Sequence, residues 1–258
     1  MSRLAIAALL AAVALAACVG NSSSGRAIDL KSAADANVKL GFDALGKGDL
    51  ARAKEKLERA EKQDPKNADA QFGLAELNAR LDKPGEAEKH YRTAIDLQPD
   101  RLEIVNAYAV FLCSSGQVDK GIAQFERLMN NPLFGRQPAA ATNAGVCLRD
   151  QKRHADSVRY FETALAKQPD WIDAVVQLAD VQIALGKPEA ARKAVDNFQS
   201  MRSSAAVLVI GVRAAVAQGD CPGASGYVQK LRRDYQNSKE TLSLLPQVLG
   251  SCREKISL

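Results

Sequence analysis

Residues 74–99 read LAELNARLDKPGEAEKHYRTAIDLQP, two helix-forming stretches around a DKPG turn, closed by a proline. The fixed points are Leu74-Ala75, Ala87, Tyr91, Ala94 and Pro99. Thirty-four residues upstream stand Leu40-Gly41, Ala53, Leu57, Ala60 and Pro65. Thirty-four downstream stand Tyr108-Ala109, Gly121, Phe125 and Leu128, with Pro132 one place early. After a two-residue insertion near Phe134-Gly135 the pattern resumes as Ala144-Gly145, Ser157, Phe161, Ala164 and Pro169. It returns at Leu178-Ala179, Ala191, Val195 and Phe198, and a weaker sixth copy holds Ile210-Gly211, Tyr227 and Leu231.

A 34-residue period with this spacing is the tetratricopeptide pattern, two antiparallel helices per repeat. Small residues at Gly41, Ala75, Ala109, Gly145 and Ala179 let the first helix approach its partner. Ala53, Ala87 and Ala191 do the same for the second helix, and larger apolar residues three or four places away fill the seam. Turns are marked by Lys47-Gly48-Asp49, Lys83-Pro84-Gly85, Ser115-Gly116-Gln117 and Gly186-Lys187-Pro188. A repeat cannot bury its apolar face alone, so neighbours stack. The expected fold is all-α: a right-handed tetratricopeptide superhelix of about six repeats over 33–236, capped by a helix and tail over 237–258. The cap reads as a last helix from Lys239 to Cys252, broken or bent at Pro246.

The N-terminus carries a different signal. From Leu4 to Ala17 every residue is Ala, Leu, Ile or Val, behind the single charge of Arg3. The run is too short for a bilayer, which needs about 20 residues, and has the flanks of a secretory signal over 1–17. Ala14, Ala16 and Ala17 could serve an ordinary cleavage site, but Leu15-Ala16-Ala17-Cys18 resembles the bacterial lipobox. That resemblance implies cleavage before Cys18 and lipidation of Cys18, which would anchor the chain in a membrane. Val19 and Gly20 follow where an inner-membrane retention signal would place Asp, so the implied address is the periplasmic face of the outer membrane. Residues 18–32 then read as a lipidated flexible tether.

Composition excludes several classes. Loss of Arg3 with the signal lowers the formal charge from +5 to +4, and no Lys/Arg block exceeds two, so no nucleic-acid stripe is present. There is no C-x-x-C and no Gly-rich phosphate loop; His90 on an outer helix and His154 in a turn both read as solvated. Glu55, Glu58 and Glu61 read as a solvated helix face. No enzyme, metal or cofactor is expected. Setting Cys18 aside leaves four cysteines. Cys113 and Cys147 fall on neighbouring first helices, either bonded or separately buried. Cys221 opens the second helix of repeat six and Cys252 ends the cap, so their pairing would pin the cap to the last repeat.

Positions 5, 9 and 12 of each first helix are expected to face the groove. They are Val38, Phe42 and Leu45; Phe72, Glu76 and Ala79; Asn106, Val110 and Cys113; and later Thr142, Val146, Arg149, Val176, Asp180 and Ile183. Val38, Phe42, Leu45 and Phe72 form an apolar patch beside Glu76 and Arg80, the mark of a partner surface. The alternative is that the tether or an N-terminal helix turn folds back over Phe42.

One family resembles this chain over its whole mature length. The stretch Asn106-Ala107-Tyr108-Ala109-Val110-Phe111-Leu112-Cys113, the Asn131-Pro132-Leu133 turn and Asn143-Ala144-Gly145-Val146-Cys147 are similar to the type IV pilus biogenesis and stability lipoproteins of the PilF/PilW kind. Ile210-Gly211-Val212-Arg213 and Leu231-Arg232-Arg233-Asp234-Tyr235 look like that family's sixth repeat. Some members also carry cysteines at 113 and 147, whereas Cys221 and Cys252 match no family role. Ala109 stands where the family often has glycine. The resemblance implies a non-enzymatic outer-membrane pilotin that helps secretin subunits localise and form their ring, and so supports pilus extrusion, twitching motility and adhesion; a capped superhelix of this kind is expected to be a monomer. The alternative is a repeat adaptor for another envelope machine: a tight-adherence pilus, outer-membrane protein insertion or a cell-wall hydrolase.

Overall fold

The computed structural model describes residues 22–256; Cys18 and the signal segment lie outside them. Six antiparallel helix pairs follow one another: α1 (Ser22–Gly46) with α2 (Leu50–Gln63), α3 (Ala68–Arg80) with α4 (Pro84–Leu97), and α5 (Leu102–Ser114) with α6 (Val118–Met129). Then come α7 (Gln137–Asp150) with α8 (His154–Lys167), α9 (Ile172–Ala184) with α10 (Pro188–Gln199), and α11 (Ala205–Ala217) with α12 (Cys221–Asp234). Among the described residues there is no strand. The chain divides into two compact units, Met1–Ile104 and Val105–Leu258.

Local chemistry sets the helix ends. Asp64, Gln98 and Gln168 each precede a proline and cap a second helix, with φ near −140° and ψ of 92°, 76° and 96°. The Cδ of the following proline excludes the α region there, so the helix stops one residue before it. Pro84 and Pro188 instead open helices, where a missing N–H costs nothing. The side chains of Asp49, Asn67 and Asp220 accept the N–H of Arg52, Ala70 and Gly223 and cap α2, α3 and α12.

Every turn inside a pair holds one residue in the left-handed region: Gly48, Asp82, Gly116, Lys152, Gly186 and Gly219. Two of these differ from the sequence reading. In the second pair the residue is Asp82 (φ 55°), while Pro84 and Gly85 already belong to α4. In the fourth pair it is Lys152 (φ 59°), which carries no glycine signal at all. A Cβ makes this conformation costly by roughly 1–2 kcal/mol. Lys152→Gly is therefore expected to raise the unfolding free energy by about 1 kcal/mol, read as a higher urea midpoint at unchanged slope.

Small-against-large packing holds each pair closed. A Cβ on Gly41 would stand 2.6 Å from Leu57 Cγ, and one on Gly73 would stand 2.5 Å from Leu57 Cδ2. Leu57 is thus clasped by the first helices of two successive pairs. Gly145 gives the same room to Phe161, and Ala75, Ala109 and Ala179 are fully buried. The two-residue insertion becomes the loop between α6 and α7. Phe134 is buried there, while Leu133 is 86% exposed and fixed by its N–H to Asn131 Oδ1 at 2.9 Å.

Two expectations for the ends need correction. Residues 22–32 are not tether: they form the start of α1, because 26–40 is alanine-rich and has neither glycine nor proline. The C-terminal segment is broken rather than bent, but not at Pro246. It is a π-helical turn Glu240–Leu244, a short helix α13 (Leu245–Val248) containing Pro246, and a 3-10 helix Gly250–Lys255. The break falls at Gly250, whose φ is +47°. Leu245, Leu249, Cys252 and Ile256 are buried in the same cluster as Leu208, Val212 and Ala215 of α11.

Candidate partner surfaces and cystines

In the first unit the groove residues divide. Phe42 and Phe72 are half-buried and stack at a tilt, ring centroids 5.7 Å apart. Phe72 leans on Tyr91 at 6.1 Å, and the Tyr91 hydroxyl donates to Glu76. Burial and the neighbouring Glu76 push the Tyr91 pKa far above the usual tyrosine range, so it stays a donor. Val38 and Leu45 do not face a groove. Val38 is 6% exposed and packs with Ala34, Ala60 and Ala70; Leu45 is 3% exposed among Ala53, Leu57, Leu74 and Leu77. Helices α2 and α3 cover that side of α1, which positional counting along one helix could not reveal. Arg80 Nη1 caps the Leu45 carbonyl at 2.6 Å. Tyr91, read only as a repeat landmark, joins the surface as its buried support.

His90 is also corrected. It is half-buried, and its Nδ1 lies 2.7 Å from Gln71 Oε1. An amide oxygen only accepts, so Nδ1 carries the proton. Gln71 Nε2 in turn donates to Glu61 at 3.0 Å, which removes Glu61 from the purely solvated face. Desolvation lowers the His90 pKa, which favours the neutral ring. His154 opens α8 rather than standing in a turn, and its Nδ1 is buried without a partner.

In the second unit Val110 is 45% exposed and stands over a cavity of about 200 Å³ between α5 and α7. Phe125, Asn143, Val146 and the two cysteines, Cys113 and Cys147, line it. Asn106 accepts from Asn143 Nδ2 at 3.3 Å. Other expected groove positions are engaged. Thr142 is buried, with its hydroxyl on the Pro138 carbonyl. Arg149 reaches Gln177, and Asp180 pairs with Arg213 at 2.5 Å. Val176 and Ile183 pack half-buried against the core.

Both cystines are closed. Cys113 and Cys147 join α5 to α7 with Cα atoms 5.7 Å apart, and Cys221 joins Cys252 with Cα atoms 5.3 Å apart. A further layer escaped sequence reading: the Tyr160 hydroxyl donates to Glu126 at 2.6 Å and that of Tyr227 to Asp196 at 2.5 Å. Each ties a second helix to the one before it. Burial and the carboxylate bond push the Tyr160 pKa up to about 12. Among the described residues no helix is long and apolar enough to cross a membrane.

Repeated helix pairs closed by small-residue seams define a repeat scaffold. Family models described as tetratricopeptide repeat match residues 38–102, 112–170 and 148–197, and the chain belongs to the tetratricopeptide-repeat family. Within it the chain is PilF/PilW-like. It is 28% identical over 238 residues to the type IV pilus assembly protein PilF of Pseudomonas aeruginosa, covering 90% of this chain and 93% of that protein. The crystal structure of PilW, a widely conserved type IV pilus biogenesis factor, superposes with a TM-score of 0.61 at 27% identity, over 82% of this chain and 98% of that one. The solved Pseudomonas aeruginosa PilF gives a TM-score of 0.61 at 25% identity, over 85% and 99%.

Proposed function

We propose that this chain is a non-enzymatic scaffold of type IV pilus biogenesis. It is held at the periplasmic face of the outer membrane by lipid on Cys18 and assists secretin subunits in localising and forming their multimer. The observation that carries this reading is likeness to a pilus assembly protein along nearly the full length of both chains. The LAAC stretch at residues 15–18 supports the anchor.

The exposed edges of Phe42 and Phe72, held from behind by Tyr91 and Glu76, form the surface that grips the secretin subunit. Aromatic rings fixed from behind lose little entropy on binding, which is what an interface anchor needs. With α1 already helical at Ser22, the surface at Phe42 stands about 30 Å along the helix from the start of α1, which follows closely on a lipidated Cys18.

The test is complementation of a deletion strain. Phe42→Ala is expected to reduce secretin multimers on unboiled gels by about tenfold, an anchor loss near 1.4 kcal/mol or more. Cys18→Ser is expected to release the protein from the membrane fraction. Normal multimers with a folded, membrane-bound Phe42→Ala would remove the surface assignment. Normal multimers in the deletion strain itself would remove the pilus reading.

A further inference from the structure

The two cystines differ in their surroundings. Cys221 and Cys252 are 8% and 0% exposed and sit inside the apolar cluster of Leu208, Leu231, Leu245 and Leu249. Cys113 is half-buried, Cys147 is 6% exposed, and both line the cavity of about 200 Å³ under Val110. Four of its other lining residues, Val110, Ser114, Asp150 and Gln151, are exposed and mark its mouth.

A seat for the sulfur is built into α6. Where Gly121 stands, the second helices of other pairs carry Ala53, Ala87, Ser157 and Ala191, each fully buried. A Cβ on Gly121 would lie 2.6 Å from Cys113 Sγ and 2.9 Å from the Ala109 carbonyl oxygen. Glycine therefore gives the sulfur its room and sets no side chain over it. The cavity supplies the approach. It is many times larger than the space one water needs, so the CH₂–S⁻ arm of a thiol fits inside.

We infer that Cys113–Cys147 is an exchangeable cystine, attacked at Cys113 Sγ by a dithiol entering through this cavity, while Cys221–Cys252 is closed to the same reagent. The thiolate of the dithiol bonds to Cys113 Sγ as the bond between the two protein sulfurs breaks. Cys147 leaves as a thiolate and takes a proton from water. The second thiol of the reagent loses its proton, attacks the mixed disulfide and releases Cys113. The cystine has then gained two electrons and two protons, and the dithiol has become a disulfide; the reverse exchange remakes the bond. Access decides between the sulfurs and between the cystines, because exchange rates follow it. The reduced chain stays folded, since α5 and α7 keep their own partners α6 and α8. What reduction removes is the covalent link between the third and fourth helix pairs. The inference does not depend on the pilus reading or on the Phe42 surface.

Timed reduction of the intact chain with dithiothreitol tests this, each sample being acid-quenched, alkylated and read by peptide mass. Cys113 and Cys147 are expected to be alkylated at least about tenfold faster than Cys221 and Cys252. In concentrated guanidinium, where both bonds are exposed, the two rates should converge. The monothiol 2-mercaptoethanol should leave its adduct on Cys113 and a free thiol at Cys147. Val110→Trp, which fills the mouth, is expected to slow reduction of Cys113–Cys147 about tenfold. Its Cys221–Cys252 bond should keep the wild-type rate, which also reports an intact fold. Equal rates in the native chain, a difference that persists in guanidinium, an adduct on Cys147, or a folded Val110→Trp variant reduced at the wild-type rate overturns the inference.

Discussion

Replacing Phe161 by alanine is expected to lower the unfolding free energy by about 3–5 kcal/mol, the range for deleting a fully buried aromatic ring. Phe161 has no accessible surface. Its ring fills the notch left by Gly145, where an added Cβ would lie 2.5 Å from Cε1 and 2.7 Å from Cδ1 and Cζ. The notch and the ring are one device, and the second half of the prediction tests that. Gly145→Ala gains about 1 kcal/mol of helix propensity but forces the ring off its seat, an overpacking cost of about 1–3 kcal/mol. The net expectation is destabilisation. Combined with Phe161→Leu, which withdraws the ring, Gly145→Ala should cost less than alone. The coupling should be about 0.5 kcal/mol or more, as for residues in direct contact. Urea unfolding of the wild type, the single variants and the pair reads all terms. A stabilised Gly145→Ala variant, or strict additivity, would show that the first and second helices are not held at van der Waals distance here.

How far the sequence reaches is visible in the same pair. The 34-residue period locates Gly145 and Phe161 and says that one of them must be small, because a period reports register along the chain. It does not report which neighbour covers a given face. Val38 and Leu45 occupy groove positions by count, yet Ala60 and Ala70 lie against the first and Leu57, Leu74 and Leu77 against the second. Phe42, one turn from each, keeps part of its ring at the surface against Phe72. Lys152 shows a different gap. The fourth turn adopts the left-handed conformation of its five counterparts because the array's geometry demands it, while its residue gives no local signal. Tertiary demand overrides local propensity in that turn. His90 was misread for a related reason: a histidine on an outer helix is solvated unless the preceding first helix places an amide opposite, as Gln71 does.

Removing the Cys221–Cys252 bond is expected to have the second large effect, and a local one. The bond closes a 31-residue separation, for which chain entropy gives about 3–4 kcal/mol. What it holds is poorly able to hold itself. The segment after α12 consists of a π-helical turn, four residues of α-helix and a six-residue 3-10 helix. Pieces this short do not persist as helix in water without tertiary support. Their support is the burial of Leu245, Leu249, Cys252 and Ile256 beside α11, a helix so apolar that nine of its thirteen residues are buried. The Cys221→Ser, Cys252→Ser double variant should therefore lose hydrogen-exchange protection first over 240–256. It should then lose protection along α11, while α7 to α10 keep theirs, since stability in a repeat array is a sum of neighbouring interfaces. Removing Cys113 and Cys147 instead should weaken the α5–α7 contact without freeing a terminus, because both helices stay covered by their own partners α6 and α8. A double variant at 221 and 252 that loses less than about 1 kcal/mol and keeps its C-terminal protection would mean that apolar burial alone secures the cap.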